Sequence, residues 1–463
     1  MHKIATTFLG ICIFLGITNS AFSQGNYRIE NFGSRSILLN GNVTGSVDDL
    51  GLVYYNPSRL SLIEKPAFSV SGKAYEVSST NLTNAFGAGN NVSNQRIGAV
   101  PTMIAGTLTL KFLPKDKFAY SFLSRHRVDN ELAFNTGVLD GDQINIPGAE
   151  RFIGSINLED VISEEWFGFS WSRKISSKFS IGASMFLSVY EMNGAGKSLY
   201  AGESASDEVV TYNSDFNYEQ ETYGLFFKIG ASYKTEGLEL GATVHIPHIN
   251  IYDSAKFRAE EFLAGLGAPD DFFNVTELRN VNNKRRTALG VSVGAGIPIG
   301  KSKIHINTEW YDGLNAYKRI AIPDNIISNT SSSSLDFREK LKSVINFGAG
   351  AEIYISPVFT GFLSFSSDYS AYVESANFFD VVNQNGGEIN YESDYWHFGF
   401  GVDANIKWGR FLLGTTYSRT STDFNQPINF PTEPINTGTN SEITTLKLSR
   451  WRFILGVEIP LFN

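Results

Sequence analysis

The sequence predicts an all-β fold: a transmembrane antiparallel β-barrel of about fourteen strands, with an N-terminal hatch, or plug, inside its lumen. Three observations predict it. Apolar residues alternate at period two in segment after segment from Ala67 onward, the signature of strands with one greasy and one polar face. Ionisable residues inside those segments fall almost always on the non-greasy parity. The connections alternate in length, short turns at one end and long polar loops at the other, as an outer-membrane barrel requires and a soluble sandwich does not.

The chain opens with His2 and Lys3, an apolar run from Ile4 to Ile17 and the small-residue stretch Thr18 to Ser23, the three-part layout of a secretory signal peptide. Cleavage is expected after Ala21-Phe22-Ser23, so that residues 1–23 are the leader. Cys12, the only cysteine, lies inside the apolar run and not at its end, which argues against a lipid-attachment site. The mature chain then has no cysteine, and in an oxidising compartment a closed hydrogen-bonded barrel supplies what disulfides otherwise would. No stretch approaches the roughly 20 consecutive apolar residues of a helical span. The composition, 13% aromatic and 18% charged with 43 Gly, 36 Phe and 20 Tyr, suits a lipid-facing wall with aromatic girdles better than a soluble helical enzyme. A net charge of -9 offers nothing basic enough for nucleic acid.

Residues 24–65 read as the hatch and 66–463 as the barrel. The hatch centres on Asp48 to Leu62, DDLGLVYYNPSRLSL. Pro57 fixes its own φ and pushes Asn56 towards extended geometry, so Asn-Pro initiates a turn. The alternative is a surface turn in a periplasmic extension.

In the strands, Lys178 to Gly194 sets the pattern. Phe179, Ile181, Ala183, Met185, Leu187 and Val189 share one parity, and Ser180, Gly182, Ser184, Phe186, Ser188 and Tyr190 the other, so one face is greasy and the other polar or aromatic. His305 and Glu309, Asn346 and Glu352, Asp368, His397 and Asp403, then Arg452 and Glu458 all fall on the polar parity of their segments. The first strand, Phe68 to Val77, changes parity around Gly72, which a β-bulge explains. Short turns fall at 114–116, 175–177, 235–237, 299–301, 356–357 and 408–409. Long loops are expected at roughly 80–100, 135–163, 194–216, 250–284, 319–340, 374–392 and 420–445.

With these residues in view, NVTGSVDDLGLVYYNPSRLSLI resembles the N-terminal hatch of the FadL-type outer-membrane transporters for long-chain fatty acids and aromatic hydrocarbons. In that family a small-residue and acidic stretch leads into an aromatic pair, an Asn-Pro-Ala turn and an apolar continuation, and a fourteen-stranded barrel follows. Asp48, Asp49, Tyr54, Tyr55, Asn56 and Pro57 match. Ser58 stands where the family usually has Ala, and Arg59 where it usually has Gly, a departure that bears on the local turn. The resemblance is motif-specific over about 40 residues and architectural over the rest.

The resemblance implies a path: capture among the external loops, a lumenal site near the hatch, and sideways exit through the wall. The ligand and gating candidates are Tyr54, Tyr55, Asn56, Pro57, Ser58, Arg125 and Arg127. Phe118, Tyr120 and Phe122 face lipid, but Ser124 and His126 then occupy that parity, so the wall either opens beside them or has risen above the bilayer there. Arg125 and Arg127, on the lumenal parity, pair either with an anionic head group or with lumenal acids such as Glu309, Asp403 or Glu458. In AKFRAEEFLAGLG, Phe257 and Glu261, or Phe262 and Leu266, recur at helical spacing, followed by Phe272 and Phe273. An amphipathic helix there is either a greasy landing site or merely packs on neighbouring loops.

No catalytic constellation and no metal spacing is present, and no cofactor is expected. The leading expectation is a monomeric, hatch-gated transporter of a Gram-negative outer membrane, with a hydrophobic small-molecule ligand and membrane lipid as its partners. A protein-secretion shuttle or scaffold that holds a cargo protein by its external loops is the alternative, and an open diffusion pore the third.

Overall fold

The computed structural model describes residues 25–63, 67–85, 89–140, 149–268, 270–322, 337–373, 393–425 and 443–460. Within them fourteen strands close into one antiparallel barrel: β1 (Ala67–Thr83), β2 (Val92–Leu108), β3 (Asp116–Asn135), β4 (Ala149–Lys174), β5 (Phe179–Ser204), β6 (Val209–Lys234), β7 (Glu239–Ala264), β8 (Gly290–Ile299), β9 (Ser302–Tyr311), β10 (Val344–Tyr354), β11 (Phe359–Asp368), β12 (Tyr395–Ile406), β13 (Gly409–Asn425) and β14 (Ile443–Pro460). Each strand pairs with its successor, and β14 returns to β1 from Ala67↔Pro460 to Thr83↔Thr445. Closure satisfies the backbone where no water can. The expected leader, 1–23, and loop residues 323–336, 374–392 and 426–442 lie outside the described residues.

The faces follow the charge parity. On β5, Ser180, Ser184 and Ser188 are buried while Phe179, Met185 and Leu187 are exposed, and on β14 Arg452 is buried between exposed Trp451 and Phe453. A closed wall with polar side chains inside and an apolar band outside belongs in an outer membrane. Outward aromatic pairs such as Tyr417–Trp451, with centroids 4.5 Å apart, and Phe365–Trp396 at 5.4 Å belong to its girdles. In β1 the register against β14 slips between Lys73 and Tyr75, next to Gly72. This is the bulge that the parity change required.

Four expected loops are largely strand instead; of 80–100, β1 takes the start to Thr83 and β2 the end from Val92. The segments 135–163, 194–216 and 250–284 were expected as external loops, yet β4, β5, β6 and β7 each run 26 residues, against the roughly 10 that a tilted crossing strand needs. Beyond the membrane the outer face takes polar residues and the alternation fades, but the hydrogen-bond ladder continues. β5 turns into β6 between Ser204 and Val209. No helix forms in AKFRAEEFLAGLG: the segment prolongs β7, turns, and pairs with a short strand, Phe272–Arg279, that sets Phe262 opposite Phe273. Having a paired partner already in β6, β7 satisfies its backbone by extending the ladder rather than ending it. The inner face of this tall sheet, with Tyr190, Met192, Tyr218 and Phe257, packs on Ile320 and Phe337, which belong to an inner hairpin, Leu314–Ile320 with Phe337–Leu341.

Residues 25–63 lie inside the barrel, and the wall makes room for them with glycine. A Cβ on Gly182 would stand 2.7 Å from the Pro57 backbone, and one on Gly294 2.8 Å from the Gly45 amide nitrogen. Gly230 and Gly241 meet Asn56 and Thr44 still more closely, Gly348 meets Asn42, and Gly399, Gly401 and Gly414 meet Leu38. Replacing Gly241 with Val is therefore expected to push the segment off the wall while leaving the barrel closed. Limited trypsin digestion should then cut at Arg59, which is buried in the native protein, with the heat-modifiable gel shift of a folded barrel retained. Protection equal to that of the parent would refute the cradle.

Candidate functional site

The N-terminal segment is held by its own turns and by bonds to strands around the whole wall. Asn56 takes φ -158° and ψ 95°, the extended geometry a following proline imposes, and caps the 3-10 turn Pro57–Leu62. Its Oδ1 accepts from the Ser58 amide (3.2 Å) and hydroxyl (2.6 Å), and its Nδ2 donates to the Thr44 carbonyl (2.8 Å) and to that of Ala231 on β6 (3.1 Å). All its polar capacity is used. Hydroxyls on the wall reach back: Ser172 of β4 donates to Ser58 O (2.7 Å), Ser184 of β5 to Val53 O (2.7 Å), Thr243 of β7 to Tyr55 O (2.8 Å) and Ser364 of β11 to Leu38 O (2.6 Å).

Charge adds further anchors. Arg59, completely buried, donates to the Val47 and Gly45 carbonyls (2.5 and 2.7 Å) and to Glu239 on β7 (2.5 Å). Asp368 of β11 accepts from the Tyr27 and Arg28 amides (2.9 and 3.0 Å), and the Arg28 guanidinium pairs with Glu309 of β9 (3.1 Å). Glu30 pairs with Lys73 of β1 (3.2 Å) and Arg452 of β14 (2.8 Å). Burial by itself raises the Glu30 carboxyl, but Arg452 and then Lys73 outweigh it and hold the group below the usual carboxylate range. Burial likewise pushes the Tyr55 phenol well above its usual value; its hydroxyl accepts from the Phe32 amide and donates to Asn31, both at 3.0 Å.

Tyr54 sits at the boundary between segment and lumen. Its ring packs against Phe32 (4.6 Å) and Trp166 (6.0 Å), and Trp166 in turn stacks on Phe226 (4.4 Å). The Lys228 ammonium lies 3.2 Å from the Tyr54 centroid, with no hydrogen-bond partner among the described residues, and the Arg125 guanidinium lies 5.6 Å from it. Cations over an aromatic face are attracted by its quadrupole. Beyond them Glu164 and Arg285 form a buried two-pronged pair at 2.9 and 3.0 Å.

The wall beside this cluster is incomplete. β2 and β3 pair only from Leu108↔Phe118 to Met103↔Leu123, although both continue well past that point. Pro101 has no N–H for a ladder, and β3 bulges at Arg125, between the pairs Ser124↔Glu165 and His126↔Glu164. Above the last pair the two strands diverge. Behind the gap lies a cavity of about 630 Å³, reached by Asn26 and Ile29 of the N-terminal segment and lined by Lys73, His126, Asp160 and Arg450 among others.

The bulge reassigns two of the expected faces. Ser124 points out and its hydroxyl donates to Glu165 (3.3 Å), while Arg125 points into the lumen. Past the bulge parity reverses. His126 stands opposite lumenal Glu164, whereas Arg127 stands opposite Ser163 and is exposed, not on the lumenal parity the alternation implied; both border the cavity. Arg125 pairs with none of the expected acids Glu309, Asp403 and Glu458 in the ion pairs described. Glu309 belongs to Arg28. Among the external residues, Phe257 is 1% exposed and is core, not surface. Phe262 stacks on Phe273 (5.7 Å), which is 73% exposed, and Leu266 is exposed at the turn; Phe272 is half-buried.

Several contributors carried no sequence signal that was used. Arg59 read as a departure from a motif, and its acidic partner Glu239 lies 180 residues away. The wall glycines were visible as Gly182 on the polar parity of β5, but what they face was not. Lys228 was on the polar parity too, and Pro101 was the one strong marker of a broken ladder.

A closed fourteen-stranded wall with an outward apolar band defines an outer-membrane β-barrel protein. No protein-family model and no curated protein sequence matches the chain, but solved structures do. The chain is similar to a Pseudomonas aeruginosa FadL homologue at 10% identity and TM-score 0.57, over 96% of this chain and 100% of that one. It is similar to the P. putida toluene transporter TodX at 12% and 0.57, over 94% and 100%, and to the Ralstonia pickettii toluene transporter TbuX at 12% and 0.52, over 94% and 100%. The chain has the fold of the FadL-type transporters.

Two outcomes follow from the anchors. Arg59→Ala removes the donor to the Val47 and Gly45 carbonyls and one of three cationic partners of Glu239, which keeps Lys234 (3.3 Å) and Lys303 (3.4 Å). It is expected to loosen the segment by about 1–3 kcal/mol, read as a raised ion conductance in planar bilayers, and unchanged conductance counts against the anchor. Because the Glu30 carboxyl is held below its ordinary value, its contribution is complete above the ordinary carboxylate range and is lost as pH falls through the lowered one. Conductance should stay flat from about pH 8 to 5 and rise only below about pH 4. A rise centred near pH 6 would assign the anchoring to another group.

Proposed function

We propose that this protein takes up hydrophobic small molecules, long-chain fatty acids or similar amphiphiles, across the outer membrane, with residues 24–65 as a hatch and the gap between β2 and β3 as a sideways exit. The observation that carries the reading is the cavity of about 630 Å³ between the N-terminal segment and that gap. In this reading Tyr54, Tyr55, Asn56, Pro57 and Ser58 form the movable floor, Arg125 meets the head group from inside, and Ser124, His126 and Arg127 border the exit. The FadL-like fold and the likeness to toluene transporters support it. Charged lining such as Lys73, Glu76, Arg96 and Arg450 favours a long-chain molecule with a polar head over a bare arene.

A second reading, a secretion scaffold that binds a cargo protein, draws on the tall β4–β7 sheet, whose edge strand exposes Phe273 and Val275 at 73% and 68%. Proteoliposomes decide between the two. Purified barrel is expected to speed oleate entry at least about tenfold over empty liposomes, and Gly98→Trp, at the gap, to abolish most of that gain. Oleate entry no faster than in empty liposomes, together with stable co-purification of a secreted protein that is lost on deleting 265–279, would replace the transporter by the scaffold.

A further inference from the structure

The gap between β2 and β3 is a slot with two fixed ends. At its lower end the ladder closes it at Met103↔Leu123. At its upper end Val92 of β2 and Leu132 of β3 belong to one buried apolar cluster with Leu82, Phe152 and Leu446. Between these ends neither strand edge has a described backbone partner across the slot, and side chains cross it instead. Asn94 Nδ2 donates to the Glu131 carbonyl at 2.8 Å, Arg96 Nη1 donates to the Asp129 carbonyl at 2.9 Å, and the Arg96 guanidinium pairs with both the Asp129 and the Glu131 carboxylates, the latter at 3.2 Å. These bonds leave the stretch from Ile97 to Thr102, opposite Ser124 to Val128, unbridged.

We propose that Asn94 and Arg96 are a clasp that sets the width of the sideways exit. An Asn reaching a carbonyl across the slot holds the two strands close at that level, while the longer Arg below it spans a wider separation, so the slot tapers upward from its unbridged part. Gly98 and Pro101 lie in that lower part, where neither offers a side chain able to cross. The ion pairs are exposed at 30%, 54% and 50% for Arg96, Asp129 and Glu131. Pairs this open to solvent are individually weak, so the clasp releases and reforms instead of sealing the wall. When Arg96 lets go, the slot lengthens towards Asn94 and admits a bulkier molecule; when it holds, only a slender chain passes. Arg96 is thereby a specificity-determining residue for size. Arg96 also lines the cavity, so a ligand with an anionic head competes with Asp129 and Glu131 for the same guanidinium and loosens the clasp as it leaves.

This inference rests on the sideways-exit reading, and its test separates the two. Spin labels at Ile97→Cys and Arg127→Cys, in a background lacking Cys12, report the slot width without any transport. Arg96→Ala is expected to lengthen and broaden the distance distribution, and Arg96→Lys, a point charge without the fork, to fall between. An unchanged distribution in Arg96→Ala overturns the clasp. In proteoliposomes, Asn94→Cys with Glu131→Cys, oxidised to a disulfide, is expected to slow entry of a bulky pyrene-labelled fatty acid at least about threefold more than that of oleate, with dithiothreitol restoring both. If the lock slows neither probe while Gly98→Trp blocks both, the exit stands and the clasp does not. If Gly98→Trp blocks neither, the sideways exit itself fails, whatever the label distances show.

Discussion

A strand that crosses lipid has no water for its N–H and C=O groups, so every one of them must find a partner in the wall. Closing β14 onto β1 meets that demand around the circumference, and most of the rest of the structure depends on it. The turns at one end are short because consecutive strands must be neighbours. The inner side chains are polar because the outer ones must be apolar. The break between β2 and β3 is the exception that the same constraint makes informative. Unpaired edges are tolerated at membrane depth only where they are buried in protein or border a polar cavity, and here the edges border such a cavity and are bridged by side chains at Asn94 and Arg96. Pro101 and the Arg125 bulge are the local causes, and neither is replaced by a compensating ladder.

What fills the lumen is not an ordinary core. An apolar cluster does exist, running from Phe32 through Leu38, Leu52 and Tyr54 to Trp166 and Phe186. Wall residues such as Met103, Leu123, Phe362, Leu412 and Ile454 belong to the same cluster, and around it hydrogen bonds and buried ion pairs add polar contacts to the wall. Such pairs contribute little net stability over a well-packed apolar equivalent, because desolvation offsets the attraction, yet removing one partner is costly. The consequence is specificity of position that the apolar contact alone would not give. A segment held in this way fits its wall in one register only. The glycine cradle adds to that: it lets backbone meet backbone, and it offers no apolar side chain for the segment to slide along.

The fold was legible because lipid imposes period two on whatever crosses it. Phe179 to Val189 against Ser180 to Ser188 needed no structure to read. Where lipid stops, so does that information: residues 194–216 look like a loop because their outer face no longer has to be apolar, although their ladder is unbroken. The helical spacing of Phe257 with Glu261 and of Phe262 with Leu266 was accidental, since a strand whose two faces are both partly covered can place apolar residues at any interval. The bulge at Arg125 shows a further limit. Parity propagates along a strand only until one residue is inserted, after which His126 and Arg127 exchange faces, and a single sequence carries no mark of the insertion except the two lapses it produces. Arg59 and Glu239 were illegible for a plainer reason. A pair separated by most of the barrel in sequence is set by closure, and closure is not local.

Were the β2–β3 gap the exit proposed above, its polar character would follow from where the wall breaks. β1 and β14, next to the gap, carry inward Lys73, Glu76, Arg450 and Arg452, which are already occupied with Glu30 and with one another. A hydrocarbon passing them would leave these groups paired and gain nothing from them. A molecule with an anionic head gains a sequence of guanidinium and ammonium partners, each of which must be taken from an existing carboxylate. Such exchange costs little at any one step, because a charge-assisted bond is replaced by another of the same kind. It also couples the path to the segment: Glu30 is the residue through which Lys73 and Arg452 hold the N-terminal chain, so drawing those cations towards a ligand weakens the same anchor that closes the lumen.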